Sequence, residues 1–170
     1  AAAALCPKVG LRSCKELREA NTVAWYGASI SAADLTTLGR LGSVLPALQM
    51  LILYENCSIA VPDTVQRLAE GLGAGALPAV TFVQLTNMHG GDAGASALAA
   101  ALGRGALPRL QSLSLNHTAI SDAGLVALAP ALRRLPALET LNLPSNPFGD
   151  EGLAALVAPP PQAGAPPPPA

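Results

Sequence analysis

The side chains in this sequence that could do acid–base, nucleophilic or metal chemistry form a short set. They are His89 and His117, Cys6, Cys14 and Cys57, and the recurring aspartates Asp92, Asp122 and Asp150. A zinc site draws on closely spaced Cys and His ligands, and neither histidine stands in such a spacing. Covalent catalysis needs a nucleophile, a base and a group that orients the base; no such trio can be named here. Cys57 follows a turn Asn and reads as a small buried group, with a reactive thiol as the alternative. The run Gly71-Leu72-Gly73-Ala74-Gly75 looks like a phosphate loop but follows a helical pattern instead of joining a strand to a helix. It is expected to be a helix C-terminal turn in which Gly takes positive φ. The aspartates stand just before or within the first turn of helical segments. A carboxylate there accepts unpaired helix N–H groups and complements the helix dipole. No catalytic residue, cofactor or metal site is therefore expected, and the chain reads as a non-enzyme.

The elements that would position these residues come from an internal repeat. The phrase LPALETLNLPSN (Leu135 to Asn146) lies under LPRLQSLSLNHT (Leu107 to Thr118) with every large apolar position coincident. Further back, Val80, Leu48 and Ala20 take the place of Leu138 and Leu110, so successive copies are 28, 32, 30 and 28 residues apart. Within each copy the pattern LxxLxL alternates, as in a strand buried on one face. The strand cores are Val23 and Trp25, Leu51 and Leu53, Val83 and Leu85, Leu113 and Leu115, Leu141 and Leu143. A turn follows, and then the period lengthens: Leu125, Leu128, Leu132 and Leu135 have the spacing of a helix with one buried side. Pro130 is expected to kink or shorten that helix. One strand–turn–helix unit cannot cover its own leucines, so neighbouring units must stack.

Composition agrees. Hydrophobic residues make up 51% of 170, aromatics only 3%, and the net charge is −1. Such a balance offers no basic stripe for phosphates, so nucleic acid is not an expected partner. A charged membrane surface is equally poor, and no apolar run reaches the length of a span. The first ten residues lack the features of a signal peptide, and the missing initiator Met implies a fragment or a processed piece. Three irregularly spaced cysteines imply reduced thiols and a cytoplasmic location. Residues 1–19 are expected to form a helix, partial repeat or cap, residues 20–158 about five repeats, and residues 159–170 a Pro/Ala-rich disordered tail. Pro144 and Pro147 flank the last strand and discourage further edge pairing.

The phrase LxxLxLxxNxL, carried by Leu135 to Asn146 and its copies, resembles the leucine-rich-repeat consensus. The period near 28 and the helical second half are similar to the ribonuclease-inhibitor-like subclass. That group includes ribonuclease inhibitor, NOD-like receptor sensor regions and Ran GTPase-activating proteins. The resemblance implies an α/β fold: a right-handed β-α solenoid, a horseshoe arc with a parallel concave sheet and convex helices. At the consensus Asn position the chain keeps Asn56 and Asn146 but has Ala28, Met88 and Thr118 elsewhere, and residues 58–63 hold a two-residue insertion with Pro62. The retained Asn side chains are expected to hydrogen-bond turn backbone.

The default binding surface of such an arc is the outward strand face. Its candidates are Tyr26, Met50, Ile52, Tyr54, Phe82, Gln84, Ser114, Asn116 and Asn142. Tyr26, Tyr54 and Phe82 stand out because aromatics are scarce, and Tyr26 and Tyr54 share a repeat position and should stack side by side. With Met50 and Ile52 they make an apolar patch of the kind that marks interfaces; cover by a further segment is the alternative. Charge there is limited to Glu55 and Glu139, and none of the eight arginines occupies a strand position. The function expected is a scaffold that binds another protein, with no nucleic acid, membrane or small-molecule substrate. Two alternatives stay open: a GTPase-activating regulator like the Ran proteins, which the missing strand arginines disfavour, and a non-autonomous piece of a larger receptor-like protein.

Overall fold

Alternating strand and helix periods in one chain produce a layered β-α stack. A computed structural model describes residues 2–27, 31–55 and 63–159. Five strands, β1 (Thr22–Tyr26), β2 (Met50–Tyr54), β3 (Phe82–Thr86), β4 (Ser112–Asn116) and β5 (Thr140–Asn142), form one sheet in chain order. Every pairing is parallel. Helices α3 (Ala32–Leu41), α4 (Thr64–Gly71), α5 (Gly91–Gly103), α6 (Asp122–Leu132) and α7 (Asp150–Val157) follow the strands one by one, each packed on the next. Thr22 pairs with Met50, Met50 with Phe82, Phe82 with Ser112 and Ser112 with Thr140. Ladder register and sequence repeat thus coincide, because one coil advances the chain by one strand.

The core lies between sheet and helices. Val23, Trp25, Leu51, Leu53, Val83, Leu85, Leu113 and Leu115 are buried from the strands, and Leu35, Leu38, Val65, Leu68, Leu98, Leu125 and Leu128 meet them from the helices. Leu141 and Leu143 are only half-buried, since no further coil covers β5 among the described residues. The turn after each of three strands takes left-handed backbone at Asn87 (φ 56°), His117 (φ 51°) and Ser145 (φ 58°). This reverses the chain toward the helix layer, and Asn tolerates it better than most residues. The next residue points inward: Met88 and Thr118 are buried.

Asn146 behaves as the consensus position requires. Its amide donates to Leu115 O (2.7 Å) and Leu143 O (3.1 Å), while its Oδ1 accepts from the Thr118 and Ile120 amides (3.1 Å each). One side chain thereby ties two successive turns together. Ala28, Asn56, Cys57, residues 58–62 and tail residues 160–170 lie outside the described residues.

Two local expectations are revised. Helix α6 runs through Pro130 to Leu132; the proline is exposed in the last turn, where losing one backbone donor leaves the rest of the helix intact. Within 71–75 only Gly75 has positive φ (68°). Gly71 instead lies in α4, where a Cβ would come 2.8 Å from Thr36 O; a Cβ on Gly39 would come 2.5 Å from Leu68 O. Glycines therefore let α3 and α4 approach backbone to backbone. Residues 2–19 pack against the first coil. They form α1 (Ala2–Leu5), a 3₁₀ turn over Pro7–Val9 and α2 (Cys14–Glu19), and Leu5, Cys6 and Leu17 enter the core.

Candidate functional site

The parallel register places alternate strand residues in rows on the sheet face away from the helices. One row is Tyr26, Tyr54, Thr86 and Asn116; the next is Ala24, Ile52, Gln84, Ser114 and Asn142; the third is Thr22, Met50, Phe82, Ser112 and Thr140. All nine candidate residues therefore share this face. Tyr26 is 66% exposed and Met50 37% exposed. Tyr54, Ile52, Phe82, Gln84 and Asn116 are half-buried, and Asn142 is exposed. The Tyr26 and Tyr54 rings sit 6.4 Å apart at an interplanar angle of 42°, so they are tilted neighbours instead of a flat stack. That geometry is a favourable aromatic arrangement.

The two ends of the face differ in chemistry. Met50, Ile52, Tyr26, Tyr54 and Phe82 cluster over β1 to β3. Toward β4 and β5 the face is polar: Gln84 Nε2 donates to Thr86 Oγ1 (3.2 Å), and the Ser114 hydroxyl donates to Asn116 Oδ1 (3.1 Å). Ser114 is 5% exposed and Glu55 4% exposed. Both were expected at the surface. Ser114 is enclosed because Gln84 and Asn142 flank it in the ladder and Asn116 bridges to it. Glu55 follows the last β2 position, and its amide donates to Thr86 O (3.1 Å). Glu139 is the acidic residue left exposed beside the strands.

The aspartates act differently from the sequence expectation. Asp92 lies in the first turn of α5, yet its Oδ1 accepts from the Ser121 and Gly124 amides (2.8 and 3.0 Å) and its Oδ2 from the Ser121 hydroxyl (2.6 Å). Asp122 Oδ1 likewise accepts from the Gly149 and Gly152 amides (2.7 and 2.8 Å). Each carboxylate thus caps the helix of the following coil. The spacing Asp-x-Gly carries the signal: a Cβ on Gly124 would meet Asp92 Oδ1 at 2.5 Å, and one on Gly152 would meet Asp122 Oδ1 at 2.7 Å. The Ser121 hydroxyl, opposed by burial and aided by the two amides, holds the Asp92 carboxyl below its ordinary pKa.

The first full coil departs from this rule. Asp34 stands at the Gly124 position and accepts from its own Ser31 amide (3.0 Å) and hydroxyl (2.7 Å), completing a capping box. Lys8 Nζ adds a 2.6 Å ion pair and lies 6.0 Å from the Trp25 ring centre. Burial opposes ionisation of Asp34, but Lys8 and Ser31 outweigh it and the pKa is lowered. Sequence reasoning missed Lys8, whose partner is 26 residues away.

The remaining reactive types stay apart from the strand face. Arg104 donates to Leu72 O (3.0 Å) and Ala69 O (3.4 Å) on the neighbouring coil, and Arg133 donates to Ala155 O. His89 and His117 are exposed, and the His89 carbonyl accepts from the Thr64 amide (3.0 Å) and hydroxyl (2.9 Å). Among the described residues no three His, Cys, Asp or Glu side chains gather as a metal site requires. No described helix is long and apolar enough to cross a membrane.

Comparison with known proteins is selective. No curated protein matches the chain. Residues 107–129 and 135–157 match a family model described as Leucine Rich repeat. The first segment spans β4 and most of α6, and the second spans β5 and α7. The strand–helix unit they define is built five times in register along one parallel sheet, so the chain has the fold of a leucine-rich-repeat solenoid, and two of its units match that repeat.

Proposed function

We propose that this protein is a non-catalytic scaffold that binds a partner protein through the outward face of its sheet. Leucine-rich repeats generally mediate protein–protein interaction, and solenoids present extended concave surfaces for it. The observation that carries the reading is the patch of Tyr26, Tyr54, Met50, Ile52 and Phe82. It gathers most of the aromatic rings of an aromatic-poor chain on one face, beside a polar strip that ends at Asn116 and Asn142. Aromatic anchors beside adaptable polar groups are what protein interfaces concentrate. The face has little charge to steer a nucleic acid or an ionic small molecule. A GTPase-activating role has no added support, since Arg104 and Arg133 are engaged between helices.

The test is capture from source lysate with wild type beside a Tyr26→Ala, Tyr54→Ala, Phe82→Ala variant whose fold is checked by circular dichroism. A helix-face variant, Val126→Asp, serves as control, since Val126 is 46% exposed on α6. A protein held by wild type and control but lost by the triple variant is the expected result. Equal retention by all three refutes the reading.

A further inference from the structure

The N-terminal segment holds a second chemistry that the binding face does not use. Cys6, at the start of the 3₁₀ turn, and Cys14, the first residue of α2, bring their sulfurs to 3.7 Å, the Cys6 thiol donating. Both are thiols; Cys6 is 2% exposed and Cys14 is exposed. A disulfide needs the sulfurs at about 2.0 Å, an approach of roughly 1.7 Å from their present separation. The backbone between them is already folded back, with the Leu11 amide donating to Cys6 O (2.8 Å). Cys14 also opens on a cleft of about 530 Å³ lined by Lys15, Arg18, Glu19 and Pro46. An exposed thiol in a cleft with two cations and one carboxylate is accessible to an anionic disulfide reagent.

We propose that Cys6 and Cys14 are a redox pair that closes into an intramolecular disulfide by exchange with a small anionic dialkyl disulfide of the glutathione type. The Cys14 thiolate attacks one sulfur of the reagent, whose S–S bond breaks and releases one glutathione thiolate. The mixed disulfide on Cys14 is then attacked by Cys6, the second glutathione leaves, and the Cys6–Cys14 bond forms. Two protein thiols lose two electrons and two protons, and one reagent disulfide becomes two thiols. Burial and the neighbouring Cys14 raise the Cys6 pKa, which fits Cys14 as the attacking thiol and Cys6 as the resolving one. The bond would staple the 3₁₀ turn to α2. It would thereby fix Lys8, two residues beyond Cys6, in its contacts with Asp34 and Trp25 at the β1 end of the sheet.

The experiment incubates the full chain with glutathione disulfide, alkylates residual thiols and maps peptides by mass spectrometry. The expected product links Cys6 to Cys14, leaves Cys57 alkylated and releases two glutathiones per chain. Amide exchange over residues 5–17 should slow in that product. A Cys14→Ala variant, altered at an exposed site and therefore expected to fold, should consume reagent at Cys6 at least about tenfold more slowly. Cys57→Ser should change nothing. A persistent glutathione adduct on Cys14, a linked peptide containing Cys57, or undiminished reaction of Cys6 in Cys14→Ala would overturn the proposal.

Discussion

Replacing Asp92 by Ala isolates the interaction that joins coils in the helix layer. The change removes three hydrogen bonds of 2.6 to 3.0 Å that reach from α5 to the Ser121 and Gly124 amides and the Ser121 hydroxyl. Loss of a side-chain cap costs about 0.5–2 kcal/mol, and an amide left without an acceptor adds about 1–3 kcal/mol where water cannot replace it. Asp92 is half-buried, so water offsets part of the second cost, and the expected loss is about 2–3 kcal/mol. Asp122→Ala removes two bonds to amides of a more exposed helix and should cost about 1–2 kcal/mol. Asp150 occupies the same repeat position but is exposed, and no coil follows it among the described residues. Its replacement forfeits only a favourable helix-dipole contact, about 0.5 kcal/mol. Urea unfolding at neutral pH, followed by circular dichroism with unchanged m-values, ranks the three variants. Equal losses at Asp92 and Asp150 would show that each carboxylate stabilises its own helix, and the cross-coil account would fail.

The same carboxylates set an acid limit. Asp34 and Asp92 have folded pKa values below their unfolded ones, so their stabilisation is complete above about pH 4 and is lost as pH falls through the folded values. The urea midpoint should therefore drop below about pH 4 in wild type and drop less in an Asp34→Asn, Asp92→Asn variant; parallel curves would contradict this. Leu113→Ala, at a fully buried site, should cost about 2–5 kcal/mol, and Asn142→Ala, exposed on β5, under about 0.5 kcal/mol. Similar values for the two would put the strand faces in the wrong order. Gly39→Ala would place a Cβ 2.5 Å from Leu68 O and should cost about 2–3 kcal/mol. Gly73→Ala, where a Cβ meets nothing within 4 Å, should be near neutral, and thermal unfolding of the pair tests the close contact of α3 and α4.

Most of the fold was legible because the repeat is a local signal. Leu110 and Leu138, or Val23 and Leu51, are separated by one coil, and that separation is the sheet register itself. Strand faces follow from period-two alternation alone, so the common face of Tyr26, Tyr54 and Phe82 could be read directly. What could not be read depended on contacts between coils. Asp92 looked like a cap for its own helix because sequence spacing does not say which helix end lies nearest; Gly124, two residues beyond Asp122, was the unused clue. Ser114 and Glu55 have surface-type side chains at outward or turn positions, and their burial depends on neighbours such as Gln84 and Asn142 across the ladder. Lys8 and Asp34 meet only after the N-terminal segment folds onto β1 and α3.

The most direct measurement of the binding-face claim places a photo-crosslinking amino acid at Ile52, between the two tyrosines and Phe82, or at Val126 on the helix side. Each variant is irradiated in source lysate, and adducts are identified by mass spectrometry. The account predicts an adduct with one partner protein from Ile52, displaced by excess wild type, and none from Val126. Adducts from Val126 with none from Ile52 would put the interface on the helices and contradict it.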